Sequence, residues 1–192
     1  DPSWADLTVN AVKESTGDDY FDSYVDVVGS LDGYDLPVSK FTEYELLDGT
    51  MQNNITFKEK RATADRVPLW HKENCIQCNQ CAFVCPHATI RPFVLNDEQI
   101  AKLPEDERED VLNLMGGPNT KGLKFRIQVS PMNCVGCGIC FVQCPGKGGK
   151  KALEMVEAKT QYHHEKAADI LYKETESRTD LFPLNTVKGA AF

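Results

Sequence analysis

No run in this 192-residue sequence approaches the roughly 18 consecutive apolar residues of a membrane span, so no bilayer crossing is expected. The chain does not open on Met, and no charged, apolar, small-residue leader marks a signal peptide. Nor does any cysteine lie outside two tight groups, Cys75, Cys78, Cys81, Cys85 and Cys134, Cys137, Cys140, Cys144. None remains for a scattered disulfide framework, which argues against secretion. Metal ligation in a reducing compartment is the expectation, in the cytoplasm or, in a eukaryote, a hydrogenosome-like organelle. Basic charge is short as well: 21 Lys and Arg face 29 Asp and Glu, a net −8. Nucleic-acid phosphates need a basic footprint, so nucleic acid is not an expected partner. There is no Ser-His-Asp arrangement, no P-loop and no dinucleotide-type Gly-rich turn. A site for bond chemistry is therefore not expected, and no catalytic residue is assigned.

What is present is a repeat. Asn74-Cys-Ile-Gln-Cys-Asn-Gln-Cys-Ala-Phe-Val-Cys-Pro86 and Asn133-Cys-Val-Gly-Cys-Gly-Ile-Cys-Phe-Val-Gln-Cys-Pro145 superpose at an offset of 59. Strand-like residues flank both copies. Val67, Leu69 and Trp70 lead into the first, and Ile90, Phe93, Val94 and Leu95 follow it. Leu123, Phe125, Ile127 and Val129 alternate with Lys124, Arg126 and Gln128 before the second, the pattern of a half-buried strand. Leu153–Val156 reads as the closing strand. The fold class expected is α+β, a small sandwich in which each repeat supplies a strand, a cysteine loop, a short helix and a strand, related as a pseudo-twofold βαβ repeat.

The 48 residues between Cys85 and Cys134 exceed what such a sandwich needs. Within an insert at 96–120, Asp97–Ile100 suggests a short helix broken at Pro104. A second helix is expected at about 105–115, with Val111, Leu112 and Leu114 on one side and Gly116-Gly117 ending it. The first fifty residues hold twelve acidic side chains against Lys13 and Lys40, whereas the remainder is nearly balanced. Residues 1–36 suggest amphipathic helices, one face carrying Trp4, Leu7 and Ala11 and another Tyr20, Tyr24, Val27, Val28 and Leu31. Residues 164–175 suggest a further helix before an irregular end. These flanks read as extended N- and C-terminal linkers.

The run Cys-x2-Cys-x2-Cys-x3-Cys-Pro matches the bacterial two-cluster ferredoxin pattern. That match implies two [4Fe–4S] clusters with one ligand exchanged. Cys75, Cys78, Cys81 and Cys144 would hold the first, and Cys134, Cys137, Cys140 and Cys85 the second. Gly136 and Gly138 let the second loop approach its cluster. Zinc is the bland alternative for paired Cys-x2-Cys, but four cysteines in one tight run, twice over, do not resemble two separated pairs. The first loop carries Gln77, Asn79 and Gln80, so its cluster is expected at the higher potential. His71 and His87 flank the motif but fall outside the ligand pattern, which suggests surface or capping roles.

Around these motifs the sequence resembles pyruvate:ferredoxin (flavodoxin) oxidoreductase. The segments carrying the likeness are Leu36–Ser39, Asp48–Thr50, Phe57–Arg61 with its Glu-Lys-Arg (EKR) element, Cys75–Pro92, Cys134–Cys140 and Leu184–Gly189. The resemblance implies a large, typically dimeric enzyme that decarboxylates pyruvate on thiamine diphosphate and forms acetyl-CoA. Electrons pass from it to ferredoxin or flavodoxin. Thiamine diphosphate, its Mg and a third [4Fe–4S] cluster are expected only in parts of the parent enzyme absent here. Residues 1–45 would then be the tail of a preceding domain, 46–70 the EKR linker segment, 71–160 the two-cluster domain and 161–192 a linker toward the thiamine domain. Lys121, Lys124, Arg126, Lys147, Lys150 and Lys151 form a basic set suited to an acidic carrier. An autonomous dicluster ferredoxin, or a ferredoxin-like subunit of another oxidoreductase, is the second reading. A structural Fe–S assembly module is the third.

Overall fold

The β-branched and aromatic residues that flank the cysteine runs form strands, and each long strand finds its partner in the other repeat. The computed structural model describes residues 15–53 and 55–192. The stripe expected at Trp4, Leu7 and Ala11 therefore lies outside the described residues. The chain divides into two compact units, 1–60 and 61–192.

The second unit contains β1 (Arg66–Trp70), β2 (Ile90–Leu95), β3 (Leu112–Asn113), β4 (Lys124–Val129) and β5 (Leu153–Glu157). β1 pairs antiparallel with β5, from Arg66 opposite Glu157 to Trp70 opposite Leu153. β2 pairs antiparallel with β4, from Ile90 opposite Val129 to Leu95 opposite Lys124, and β3 adds to the free edge of β4. One apolar cluster joins Ile90, Val94, Phe125, Ile127 and Leu153 to Cys81 and Cys140. A second joins Phe93, Leu95, Leu103, Ala167 and Leu171. β2 is thus covered on both faces.

Helices of the first unit are α1 (Asp26–Gly29), which continues a π-helical turn at Phe21–Val25, α2 (Val38–Glu43) and α3 (Thr56–Glu59). Those of the second are α4 (Gln80–Phe83), α5 (Asp97–Lys102), α6 (Ile139–Gln143), α7 (Glu165–Glu174) and α8 (Val187–Ala191). In the first unit Tyr20 stacks on Tyr24 at 5.5 Å and meets Tyr44 edge-on at 5.0 Å, while Tyr24 meets Phe41. The packed residues are therefore the aromatics, and Val28 and Leu31 of the expected stripe are exposed. In the EKR element, Lys60 adopts φ +45° and places Nζ over the Phe57 ring. Neighbouring Lys58 forms an ion pair with Asp18.

Three expectations need correction. The helix expected at 105–115 is a 3₁₀ turn, Glu105–Glu107, followed by β3. Pairing with β4 and the Leu114 N–H to Leu123 carbonyl bond (3.0 Å) give this backbone the partners a helix would have supplied. The α5 helix, Asp97–Lys102, opens on a reciprocal Asn96–Gln99 capping box. Second, the polar face of β4 is not solvated: Arg126 is 3% exposed and Gln128 1%. The insert and the segment before α7 cover it, and Arg126 pairs there with buried Glu107, whose other carboxylate oxygen meets His164 Nδ1 at 2.8 Å. The Arg126 Nε–H also donates to Gln128 Oε1 at 2.7 Å. Third, Arg126 and Lys151 do not belong to an exposed basic set. Lys151 Nζ donates to the Phe141, Val142 and Cys144 carbonyls at 2.9–3.0 Å, closing the C-terminal end of α6. Lys121, Lys147 and Lys150 are exposed.

Candidate metal centre

Two-residue spacing within each cysteine run forces the chain to turn tightly, and both loops do so with left-handed residues at the same places. Gln77 and Asn79 have φ +55° and +62°; Gly136 and Gly138, at the offset of 59, have +70° and +73°. For Gly136 the reason is steric, since a Cβ would sit 2.9 Å from the Arg66 carbonyl. The first loop reaches the same backbone with side chains, at a cost of roughly 1–2 kcal/mol per non-glycine residue. Gln77 recovers part of this through its buried amide. Nε2 donates to the Asn113 carbonyl and Oε1 accepts from the Met115 N–H, both at 2.8 Å. The insert therefore holds the first loop.

The loops and the helices that leave them enclose two cavities. One, about 330 Å³ and partly open to solvent, is lined by Cys75, Cys78, Cys81 and Cys144, together with Trp70 and Asn79. The other, about 350 Å³, is lined by Cys134, Cys137, Cys140 and Cys85, together with His87 and Thr89. Each cavity thus collects three cysteines of one run and the last cysteine of the other. His71 stands outside both and bonds Glu154 through Nε2 at 3.0 Å. His87 lines the second cavity, a position its place in the sequence did not suggest.

Backbone N–H groups already point at the sulfurs in matched pairs. Gln77 N–H donates to Cys75 Sγ and Gly136 N–H to Cys134 Sγ, each at 3.4 Å. Thr89 N–H donates to Cys85 Sγ at 3.4 Å and Ala152 N–H to Cys144 Sγ at 3.3 Å. Thr89 Oγ1 adds a contact to Cys85 at 3.5 Å. Such donors stabilise thiolate ligands. Burial acts the other way. It pushes the Cys75 and Cys134 thiols up, Cys81 strongly so, and Cys140 to about 11. Cys85 is also penalised by burial, yet the Thr89 hydroxyl and backbone bonds from Thr89, His87 and Ile90 bring it below the ordinary thiol value. A buried set of sulfurs favours the thiolate only with positive charge between them, as iron supplies. Among the described residues, no three His, Cys, Asp or Glu side chains lie where they could hold one metal ion.

Two supports of this centre escaped the sequence reading. Buried Glu165, the first residue of α7, accepts from Ser130 Oγ at 2.8 Å and from the Met132 N–H at 3.0 Å, and so fixes the turn into Cys134. Gly146, just after Cys144, has φ +63° and leaves room where a Cβ would fall 1.8 Å from the Lys150 carbonyl. No periodicity marks Glu165. The Pro145-Gly146 pair is a turn signal, without indicating what approaches it.

Residues 74–148 match the 4Fe-4S dicluster domain family, whose cofactors are two [4Fe–4S] clusters. Over 192 residues, 99% of this chain, the sequence is 40% identical to pyruvate:ferredoxin oxidoreductase of Moorella thermoacetica, covering 16% of that protein. It is 39% identical over 162 residues to pyruvate-flavodoxin oxidoreductase of Klebsiella pneumoniae, covering 83% of this chain and 13% of that protein. It is 38% identical over 158 residues to the mitochondrial pyruvate dehydrogenase [NADP(+)] of Euglena gracilis, covering 82% of this chain and 8% of that protein. The chain thus spans less than a fifth of the length of these relatives. Among the described residues no helix is long and apolar enough to cross a membrane. With its dicluster domain at 74–148 and 82–99% of its length aligned to part of each of these enzymes, the chain belongs to the pyruvate:ferredoxin (flavodoxin) oxidoreductase family, of whose members it represents a part.

Proposed function

We propose that this chain relays electrons through two [4Fe–4S] clusters, away from thiamine-dependent pyruvate oxidation and toward ferredoxin or flavodoxin. The observation that carries the reading is the pair of cavities, each lined by four cysteines with one exchanged between the runs. We assign Cys75, Cys78, Cys81 and Cys144 to the first cluster and Cys134, Cys137, Cys140 and Cys85 to the second. The clusters supply reversible one-electron chemistry. The residues around them hold the thiolates, donate N–H bonds to sulfur and exclude water from one side. Strand pairing between repeats, β1 with β5 and β2 with β4, supports a pseudo-twofold βαβ arrangement with an inserted segment at 96–120.

Pyruvate, coenzyme A, thiamine diphosphate with Mg, and a third cluster belong in this proposal to the rest of the parent enzyme, which we take to be dimeric. Residues 1–45 are read as the tail of its preceding domain and 46–70 as the EKR linker segment. Residues 71–160 form the two-cluster domain, and 161–192 lead toward the thiamine domain. The observed division at 60/61 falls inside the second of these segments.

Anaerobic reconstitution with iron counting and an EPR-monitored titration tests the reading. About eight irons and two interacting reducible clusters are expected. Zinc, or about four irons, refutes it, and clusters that never cycle reversibly favour a structural role. Cys85→Ser tests the exchange, since the damage should fall on the cluster of Cys134, Cys137 and Cys140. Loss of the other cluster instead excludes the crossed ligand sets.

A further inference from the structure

The two loops share a backbone but not a chemistry. At the second left-handed position one carries Asn79 and the other Gly138. Asn79 is 1% exposed and lines the cavity of Cys75, Cys78, Cys81 and Cys144. Both its Nδ2 and its Oδ1 are buried without a hydrogen-bond partner. Leaving a buried amide unpaired costs about 1–3 kcal/mol per group, so an isolated Asn here is a liability. The backbone alone does not demand it, because glycine serves in the other loop. The remaining polar residues of the first loop are engaged elsewhere. Gln77 is bound to the insert, and Gln80 accepts from Gln143 Nε2 at 3.1 Å.

A second buried donor lines the same cavity. The buried Trp70 indole Nε1–H, which has no other partner, faces the Cys75 thiol and favours its ionised form, and Val129, at the offset of 59, has no side-chain N–H. The second cavity has polar side chains of its own, His87 and Thr89, of which Thr89 is in contact with Cys85.

We infer that the Asn79 side-chain amide donates its N–H to the inorganic or thiolate sulfur of the cluster held by Cys75, Cys78, Cys81 and Cys144, tuning that cluster's potential upward. The inference rests on the ligand set proposed above. One-electron reduction adds negative charge to the cluster, and a donor aimed at its sulfur is worth more in the reduced form. Asn79 is a tuning residue: it carries no electron and breaks no bond. Exposure also affects potentials and is greatest among the ligands at Cys137, so the amide's effect is isolated by substitution and not by comparing the clusters.

The test uses the chain with both clusters assembled anaerobically, followed by EPR during a redox titration, with iron counted in every sample. Asn79→Gly gives the first loop the residue of the second and keeps the left-handed backbone. At fixed potential its cluster should show about a tenfold lower reduced-to-oxidised ratio, a downward shift of about 59 mV for a one-electron couple. The reciprocal Gly138→Asn is open to the same chemistry, because a Cβ there meets nothing within 4 Å and Asn tolerates positive φ. It should raise the other cluster by a similar factor. Eight irons with neither midpoint moved, or with either moved in the opposite direction, overturn the inference. If Asn79→Gly fails to hold iron, Gly138→Asn decides it. Failure of the ligand assignment itself would appear separately, as about four irons or zinc in the unsubstituted chain.

Discussion

Removing the Glu107 carboxylate should unlock the insert from the sheet that feeds the second cysteine loop. Glu107 and Arg126 have side chains 2% and 3% exposed, so neither charge has water as an alternative partner. In Glu107→Ala the guanidinium keeps three bonds, Nη1–H to the residue-107 carbonyl and Nε–H to Gln128, both 2.7 Å in the parent, and a longer one from Nη1–H to the Asp110 carbonyl at 3.5 Å. It loses its only carboxylate ligand among the described residues. Breaking a buried pair from one side costs about 3–5 kcal/mol, and the surviving bonds favour the lower figure. At about 1.4 kcal/mol per tenfold, 3 kcal/mol is roughly a hundredfold in an opening equilibrium. Native-state hydrogen exchange by mass spectrometry, under anaerobic conditions and with clusters intact, reads that equilibrium on peptides covering 105–113 and 124–129. Their protection should fall by about two orders of magnitude. Adding Arg126→Met should restore most of it, because the orphaned charge is then gone. Lys102→Ala, which removes the exposed ion pair to Glu174, serves as the surface control and should leave exchange in both segments unchanged. Protection in Glu107→Ala within about threefold of the parent would refute the assignment of energy to this pair.

Three further outcomes follow from the same geometry. Lys151→Met retains an apolar stem beside the Phe141 ring but strips three α6 carbonyls of their donor, so cluster loss in anaerobic guanidinium should accelerate several-fold, with a cost of about 1–3 kcal/mol; an unchanged bleaching rate would show that α6 holds without its cap. Glu107 is penalised by burial, but His164 and Arg126 outweigh this and hold its carboxyl below the ordinary 4.5, so its stabilisation is complete above that pH and lost as pH falls through the depressed folded value. The difference in protection between parent and Glu107→Gln should accordingly shrink as pH falls below 4.5, and a difference that grows on that acidification contradicts the sign. Reversing exposed Lys147 and Lys150 to Glu should slow electron transfer to an acidic carrier and weaken its ionic-strength dependence; rates indifferent to both charge and salt would remove these lysines from the docking face.

What was legible in the sequence was whatever repeats. The offset of 59 brings Cys75 onto Cys134 and Asn79 onto Gly138, and the flanking apolar residues located β1, β2, β4 and β5 within a residue or two. Less legible were the places where one segment changes the environment of another. Alternation in 123–129 has the period of a half-solvated strand, but the insert and the segment before α7 bury the polar side, turning Arg126 from a surface charge into an internal one. Lys151 reads as basic surface until α6 ends beside it. The 105–115 segment has a helical stripe, yet β4 offers a sheet edge that satisfies its backbone at lower cost than an isolated helix of about three turns would. Composition reports charge and periodicity, whereas burial is decided by what arrives from fifty residues away.

That distance also governs how the centre assembles. Each cavity needs a cysteine from beyond the insert, so neither can be completed by one run alone. The strand pairs that bring the runs together, β1 with β5 and β2 with β4, are themselves long-range, and their closure carries an entropy cost that local contacts do not offset early in folding. Burial pushes the Cys75, Cys81, Cys134 and Cys140 thiols upward, so at these positions the metal-free centre opposes the thiolate form that a cluster requires. Iron favours both the charge state and the loop closure at once, which couples cluster insertion to folding. In the proposed ligand sets each exchanged cysteine then acts as a staple across the two repeats. Losing one cluster should therefore loosen the strand pairing that positions the other, and the two are better regarded as one cooperative unit than as two independent sites.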